Sequence, residues 1–255
     1  MVDGMVILTI VNHALARPDS TLDLFLESFR IGERTQHLLN HLVIFAVDNQ
    51  AFQYCNSKHH HCFFLSNHRT MKSLSWRNKI LQLVLQLGYD FIFTNADVMW
   101  LRNPVSEIDP VKDMTIACNF TSGDSQSTDS KADGEFFYLK SDTPTIEYLK
   151  YLKMVEVLYP RIKNQSLCEV VKSIDIYDLR IKVLGKPHFG EFCESSWDMS
   201  KIYTIYANCC DNIDSQVHDL KLLLDNWRNF KEQSGKNTAL RGLLLTRSAL
   251  NKCKG

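Results

Sequence analysis

Hydrophobic positions change their period along this chain in a repeating order. Residues 5–10 form a near-continuous apolar run that predicts a buried strand, and a turn carrying Pro18 follows. Leu22, Phe25, Leu26 and Phe29 then recur at three- and four-residue spacing, which predicts a helix over 21–30 with Ser20 as its N-cap. Residues 41–47 predict a second strand, apolar enough to be buried on both faces. A short helix over 50–57 and a short strand over 62–65 come next. Trp76, Ile80, Leu81, Val84, Leu85 and Leu87 mark a helix over 74–87 that Gly88 ends, and 90–94 is a strand. Strand, helix, strand, helix, strand is the rhythm of parallel βαβ units. The predicted fold is therefore α/β, with a central, mostly parallel, Rossmann-type sheet flanked by helices.

After Pro104 the pattern loosens. Strands are predicted at 115–118, 135–140, 181–184 and 201–206, and helices at 143–158, 164–173 and 217–230. A Ser-, Asp- and Gly-rich stretch over 121–131 reads as a loop. Residues 231–255 are polar and basic apart from 240–245. The expected organisation is one domain over 1–230 and a polar tail over 231–255.

Composition narrows the class. With 45% hydrophobic and 23% charged residues, 255 residues can bury a sizeable core, which argues against disorder. Lys plus Arg and Asp plus Glu are equal at 29 each, so no basic field recruits nucleic acid. No apolar run reaches the roughly 18 residues of a membrane helix. Residues 1–4 lead almost directly into the first strand, so membrane attachment is expected only through an N-terminal anchor that this chain does not include. Eight cysteines contain no Cys-x-x-Cys. Cys55 and Cys62 flank His59, His60 and His61, leaving open a small disulfide loop, two buried thiols or a zinc site. Asn119-Phe120-Thr121 and Asn164-Gln165-Ser166 fit the N-glycosylation pattern and lean towards a secretory lumen. The glycine-rich dinucleotide fingerprint, the phosphate loop, His-Glu-x-x-His and Gly-x-Ser-x-Gly are all missing, which removes the main support for dehydrogenases, P-loop NTPases, zincins and serine hydrolases.

Chemistry concentrates in residues 91–104, Phe-Ile-Phe-Thr-Asn-Ala-Asp-Val-Met-Trp-Leu-Arg-Asn-Pro. A buried strand ends on Asn95 and Asp97, two positions apart. In an extended chain such residues point the same way, so two oxygens leave one strand end together and can hold a divalent cation against a diphosphate. Ligands of α/β sheets bind beyond the carboxyl ends of the strands, and the expectation is that Asp97 faces an open crevice there. Trp100 is expected as a buried wedge where the chain turns back. Asp133-Gly134-Glu135-Phe136-Phe137 is a second candidate, its glycine permitting close backbone approach to a ligand beside an acid. His188 and His218 are read as structural.

Taken together, these residues resemble the plant nucleotide-diphospho-sugar transferase family, glycosyltransferases of the GT-A fold. The likeness runs from about Val6 to Phe230. It rests on 22–29 (Leu-Asp-Leu-Phe-Leu-Glu-Ser-Phe), 40–43, the stretch from Gly88 to Pro104, 189–194, 207–210 and 218–220. Family 77 glycosyltransferases, such as rhamnogalacturonan xylosyltransferases and extensin arabinosyltransferases, are among its relatives. The resemblance implies a Golgi-lumen enzyme, a UDP-sugar donor, a glycan or glycoprotein acceptor, Mn²⁺, and transfer with retention. It places Thr9, Asn12, Asn95, Asp97 and Gly134 against the donor, Asn95 and Asp97 at the metal, and Glu135 and Gln165 in catalysis.

The departures from the family pattern fall on that machinery. The family's Asp-x-Asp is Asn95-Ala96-Asp97, and its Asn-Gly-Gly-Phe-Asn is Asp133-Gly134-Glu135-Phe136-Phe137. Its His-Asp-Gln-Asp is Lys163-Asn164-Gln165-Ser166, and Tyr206 replaces the histidine before Ala-Asn-Cys-Cys. The expected function is sugar transfer from a UDP-sugar, with impaired metal dependence. The alternative is a catalytically degenerate relative that binds a sugar nucleotide, a glycan or a partner glycosyltransferase without turnover.

Overall fold

The computed structural model describes residues 4–65, 73–118, 133–158, 168, 179–185, 187–192, 196–207, 210–234, 244–246 and 253. The first half alternates as expected. Strand β1 (Met5–Val11) leads to helix α1 (Thr21–Ile31), β2 (Leu42–Ala46) to α2 (Asn49–Lys58), and β3 (Cys62–Phe64) to α3 (Ser73–Gln86) and β4 (Asp90–Thr94). After β5 (Val98–Trp100) come β6 (Met114–Cys118), β7 (Asp133–Leu139), α4 (Thr143–Leu158) and β8 (Ile181–Leu184). Seven strands form one sheet in the order β3-β2-β1-β4-β7-β6-β8. Strand β7 runs antiparallel to both neighbours and every other pairing is parallel, so six strands share one direction.

Alternation along these strands builds two cores. Ile7 and Val11 of β1, Ile92 of β4, and Phe136 and Tyr138 of β7 face Phe25 and Phe29 of α1. The same core takes Leu220, Leu223, Leu224 and Trp227 from α5 (Ile213–Ser234). Leu8, Phe91, Phe93, Phe137 and Leu139 face the other way, onto Leu81 and Leu85 of α3 and Tyr148 and Leu149 of α4. Odd and even positions of one strand thus enter opposite cores, the pleat expected of a sheet covered on both sides.

Several short elements escape prediction because three residues carry too little period to read. Strand β9 (Phe189–Glu191) is one; it joins β5 and β11 (Thr204–Tyr206), the strand expected over 201–206, in a second sheet of order β5-β11-β9. Strand β10 (Ser196–Asp198) pairs antiparallel with β12 (Leu244–Thr246). Residue 253 also returns to the body, through the Cys210–Cys253 disulfide. The strand expected over 201–206 begins only at Thr204, because Asp198 O takes the amides of Lys201 and Ile202 in a turn. Helix α5 starts at Ile213 rather than 217, because Asn212 Oδ1 caps the amide of Ser215 at 2.8 Å. The helix expected over 164–173, the loop over 121–131 and both glycosylation triplets fall outside the described residues, apart from Cys168, which is helical.

Trp100 is fully buried, as the wedge reading expects. Its ring stacks on Phe29 at 4.6 Å and its amide donates to Ser28 Oγ at 3.0 Å. Cys55 and Cys62 are disulfide-bonded, as are Cys118 and Cys168. Among the described residues no group of three His, Cys, Asp or Glu side chains is placed to hold a metal. No described helix is long and apolar enough to cross a membrane.

Candidate functional site

The carboxyl ends of β1, β2 and β4 lie side by side, and each is followed within two residues by a polar side chain, Asn12, Asp48 and Asn95. Val11 pairs with Ala46, and at the next rung Val47 N donates a hydrogen bond to Val11 O at 3.0 Å. Beyond it, His13 N donates to Asp48 Oδ2 at 2.7 Å, while Asp48 Oδ1 caps α2 through Ala51 N at 2.8 Å. Asn12 is exposed at this edge and folds its own turn, its Oδ1 accepting from Leu15 N at 3.1 Å. Thr9 sits deeper: it is fully buried, with its Oγ1 enclosed and unbonded.

Next to β1, β4 ends at Thr94 and the chain reverses. Val98 N donates to Asn95 O at 3.2 Å, so Asn95 to Val98 is a β-turn with Ala96 and Asp97 at its centre. This corrects the extended geometry on which the shared direction of Asn95 and Asp97 was expected, because side-chain alternation does not carry through a turn. The turn sends β5 back against β11, with Val98 opposite Tyr206, and Ala207 N donates to Asp97 O at 3.2 Å. Strand β7 approaches from the other side. Thr94 pairs with Phe136, so the antiparallel register brings the backbone of Glu135 level with Asn95 and places Gly134 one residue beyond. Gln165 lies outside the described residues.

Asp97 is only half-buried as a residue, yet its carboxylate is enclosed. Gln216 of α5 donates one Nε2 hydrogen to Asp97 Oδ2 at 3.1 Å and the other to Ala207 O at 2.8 Å. Asp97 Oδ1 is buried and accepts no hydrogen bond. Burial pushes the carboxyl up to about 7, against the opposing pull of its own backbone amide and of Gln216. The crevice-facing carboxylate expected from the sequence is therefore not what forms, since α5 and β11 close over it.

Positive charge reaches this edge from α3. The Arg77 guanidinium lies 5.4 Å from the centre of the Phe93 ring, near the end of β4. Arg77, Asp48 and Gln216 were all missed by sequence reasoning. Asp48 carried a readable signal, an Asx residue just before a helix. Gln216 carried none, because 119 residues separate it from Asp97.

The donors at the turn do not fit a resident Mn²⁺. Asn95 offers a neutral carbonyl. Asp97 has one oxygen already bonded to Gln216. Tyr206, where the family pattern has histidine, is a weak ligand unless it ionises. A hard divalent cation needs several charged oxygen or imidazole donors. The enclosed Oδ1 supplies one.

Three comparisons bear on identity. A family model described as nucleotide-diphospho-sugar transferase matches residues 37–220. The Arabidopsis thaliana proteins At4g15970 and At1g28695, both uncharacterized, are 31% and 32% identical to this chain, and each match covers 89% of it. The chain spans 65% of the first and 74% of the second, so it represents about two thirds to three quarters of those relatives. Among solved structures, a glycosyltransferase involved in glycosylating the major capsid of the virus PBCV-1 aligns over 86% of this chain and 98% of its own. Its TM-score is 0.51 at 10% identity, a likeness of fold alone.

Proposed function

Because the chain belongs to the nucleotide-diphospho-sugar transferase family, we propose that it binds a UDP-sugar along the carboxyl edge of β1, β2 and β4 and transfers the sugar to a glycan or glycoprotein acceptor. One observation carries this reading. Asn12, Asp48 and Asn95 follow the neighbouring ends of β1, β2 and β4, where parallel α/β sheets take their ligands, and Arg77 lies over Phe93 near the end of β4. Arg77 supplies charge for the diphosphate without a tightly held metal. The Gly134 backbone admits the sugar, and Asn12 lies on the nucleotide side; Thr9, expected against the donor, is fully buried beneath this edge. In transfer, the bond from the anomeric carbon to the diphosphate oxygen breaks and a bond to the acceptor hydroxyl oxygen forms. The hydroxyl proton leaves to a base. Glu135, level with Asn95 on the neighbouring strand, is assigned to stabilise the positive charge that develops on the sugar, and Gln165 to orient it. The disulfides suit an oxidising lumen, which supports a Golgi location.

The test is release of UDP from a panel of UDP-sugars in the presence of glycan acceptors. Release by the wild-type protein, lost in Glu135→Gln, supports transfer. A second reading, donor or partner binding without turnover, is favoured by the enclosed Asp97 carboxyl, which burial holds well above the usual carboxylate range. That reading predicts UDP binding with no release in any pairing.

A further inference from the structure

The amino edge of the sheet, opposite the proposed donor edge, carries a concave feature. A cavity of about 690 Å³ is lined by Arg30 and Gly32 at the end of α1, Arg34 in the following loop, Gln36, His37, Leu39 and Asn40 in a 3-10 turn over Gln36–His41 that precedes β2, and Lys231 near the end of α5. His41 Nδ1 lies 3.2 Å from Met5 O, which ties that turn to the start of β1 and fixes the cavity at this edge. We propose that this cavity is a separate binding site for an acidic oligosaccharide.

Its chemistry points that way. Among the described residues, three cationic side chains and no carboxylate line it. The acids nearby are ion-paired: Glu33 with Arg102 at 3.0 Å, and Glu27 with Arg228 at 2.8 Å and with the cavity's own Arg30 at 3.5 Å, so Arg30 already shares a carboxylate. Arg30 and Lys231 each end a helix, and balancing the helix dipole accounts for part of their placement. Lys231 Nζ indeed donates to Ile31 O at 2.9 Å. Arg34 lies in no helix, is exposed, and bonds no carboxylate among the described residues. Its φ of +59° is a left-handed conformation that favours glycine, so a long cationic side chain is kept where the backbone would prefer none. The volume matches small organic ligands and far exceeds one phosphate. Gln36, His37 and Asn40 add the mixed donors and acceptors that sugar hydroxyls require.

This site stands independently of the donor reading, and its test separates the two. Calorimetric titration compares trigalacturonate, the neutral trisaccharide maltotriose and inorganic phosphate on the wild type, Arg34→Glu and Arg34→Gly. Arg34→Gly removes the charge while relieving the backbone. The expected result is binding of trigalacturonate alone, weakened at least tenfold in both variants, with UDP binding unchanged in them. Equal binding of maltotriose, trigalacturonate affinity unaltered in both variants, or full displacement of trigalacturonate by an equal concentration of phosphate would each overturn the proposal.

Discussion

Gln216 holds Asp97 from 119 residues away in the chain, with Nε2 3.1 Å from Oδ2 and 2.8 Å from Ala207 O. A single carboxamide therefore joins α5, β11 and the turn after β4. Without it, a buried carboxylate oxygen and a backbone carbonyl each lose a donor, and an unsatisfied buried group costs about 1–3 kcal/mol. Gln216→Ala is expected to lower stability by that amount in urea unfolding at pH 8 and to weaken UDP binding with it. A variant as stable as the wild type means the contact is not formed in solution.

Asp97 also makes stability depend on pH, with a defined sign. In the unfolded chain its carboxyl ionises near its ordinary 3.8, and in the fold only near 7. Between those values the folded state binds more protons, so stability falls as pH rises from about 4 to 7 and then levels off. The full difference corresponds to roughly 4 kcal/mol at pH 8. Asp97→Asn removes the ionising group and keeps an acceptor for Gln216. It is expected to be close to neutral at pH 4 and stabilising, by up to that amount, at pH 8. Parallel stability curves for the two proteins from pH 4 to 8 would show that the carboxyl is not enclosed.

Restoring the missing ligands tests where the metal chemistry went. Tyr206 lies across from Val98, one residue from Asp97, so the two backbones run side by side. Asn95→Asp combined with Tyr206→His is expected to raise Mn²⁺ affinity at least tenfold over the wild type, read by electron paramagnetic resonance of free Mn²⁺. A flat response means that these side chains do not surround one ion.

Gly32 is required by close approach. A Cβ there would meet Trp100 O at 2.5 Å and Ser28 O at 2.7 Å, and neither backbone atom can move cheaply. Gly32→Ala is expected to cost about 1–3 kcal/mol, the usual penalty of overpacking. It should appear as a lower denaturant midpoint at unchanged slope.

The βαβ half of the fold was legible because its elements are long and periodic: Leu22, Phe25, Leu26 and Phe29 announce α1, and the unbroken apolar run over 42–46 announces β2. The sheet order and the reversed β7 were not legible, since pairing is decided between residues far apart in sequence. At the site, Asn95, Asp97 and the acid-bearing start of β7 could be read from local motifs, and the register brings those segments together. The turn that reorients Asn95 and Asp97 was missed because Asn-Ala-Asp reads equally as strand end or turn. The enclosure of Asp97 depends on Gln216 and Ala207, whose positions only the folded chain reveals.

The central claim is that the carboxyl edge of β1, β2 and β4 takes a sugar nucleotide without a resident metal. Isothermal titration of UDP into the protein in EDTA and again in Mn²⁺, repeated on Arg77→Ala, tests it most directly. The account predicts binding in EDTA, improved less than threefold by Mn²⁺ and weakened more than tenfold by loss of the guanidinium. Absence of binding in both buffers, or binding that appears only with Mn²⁺, would contradict it.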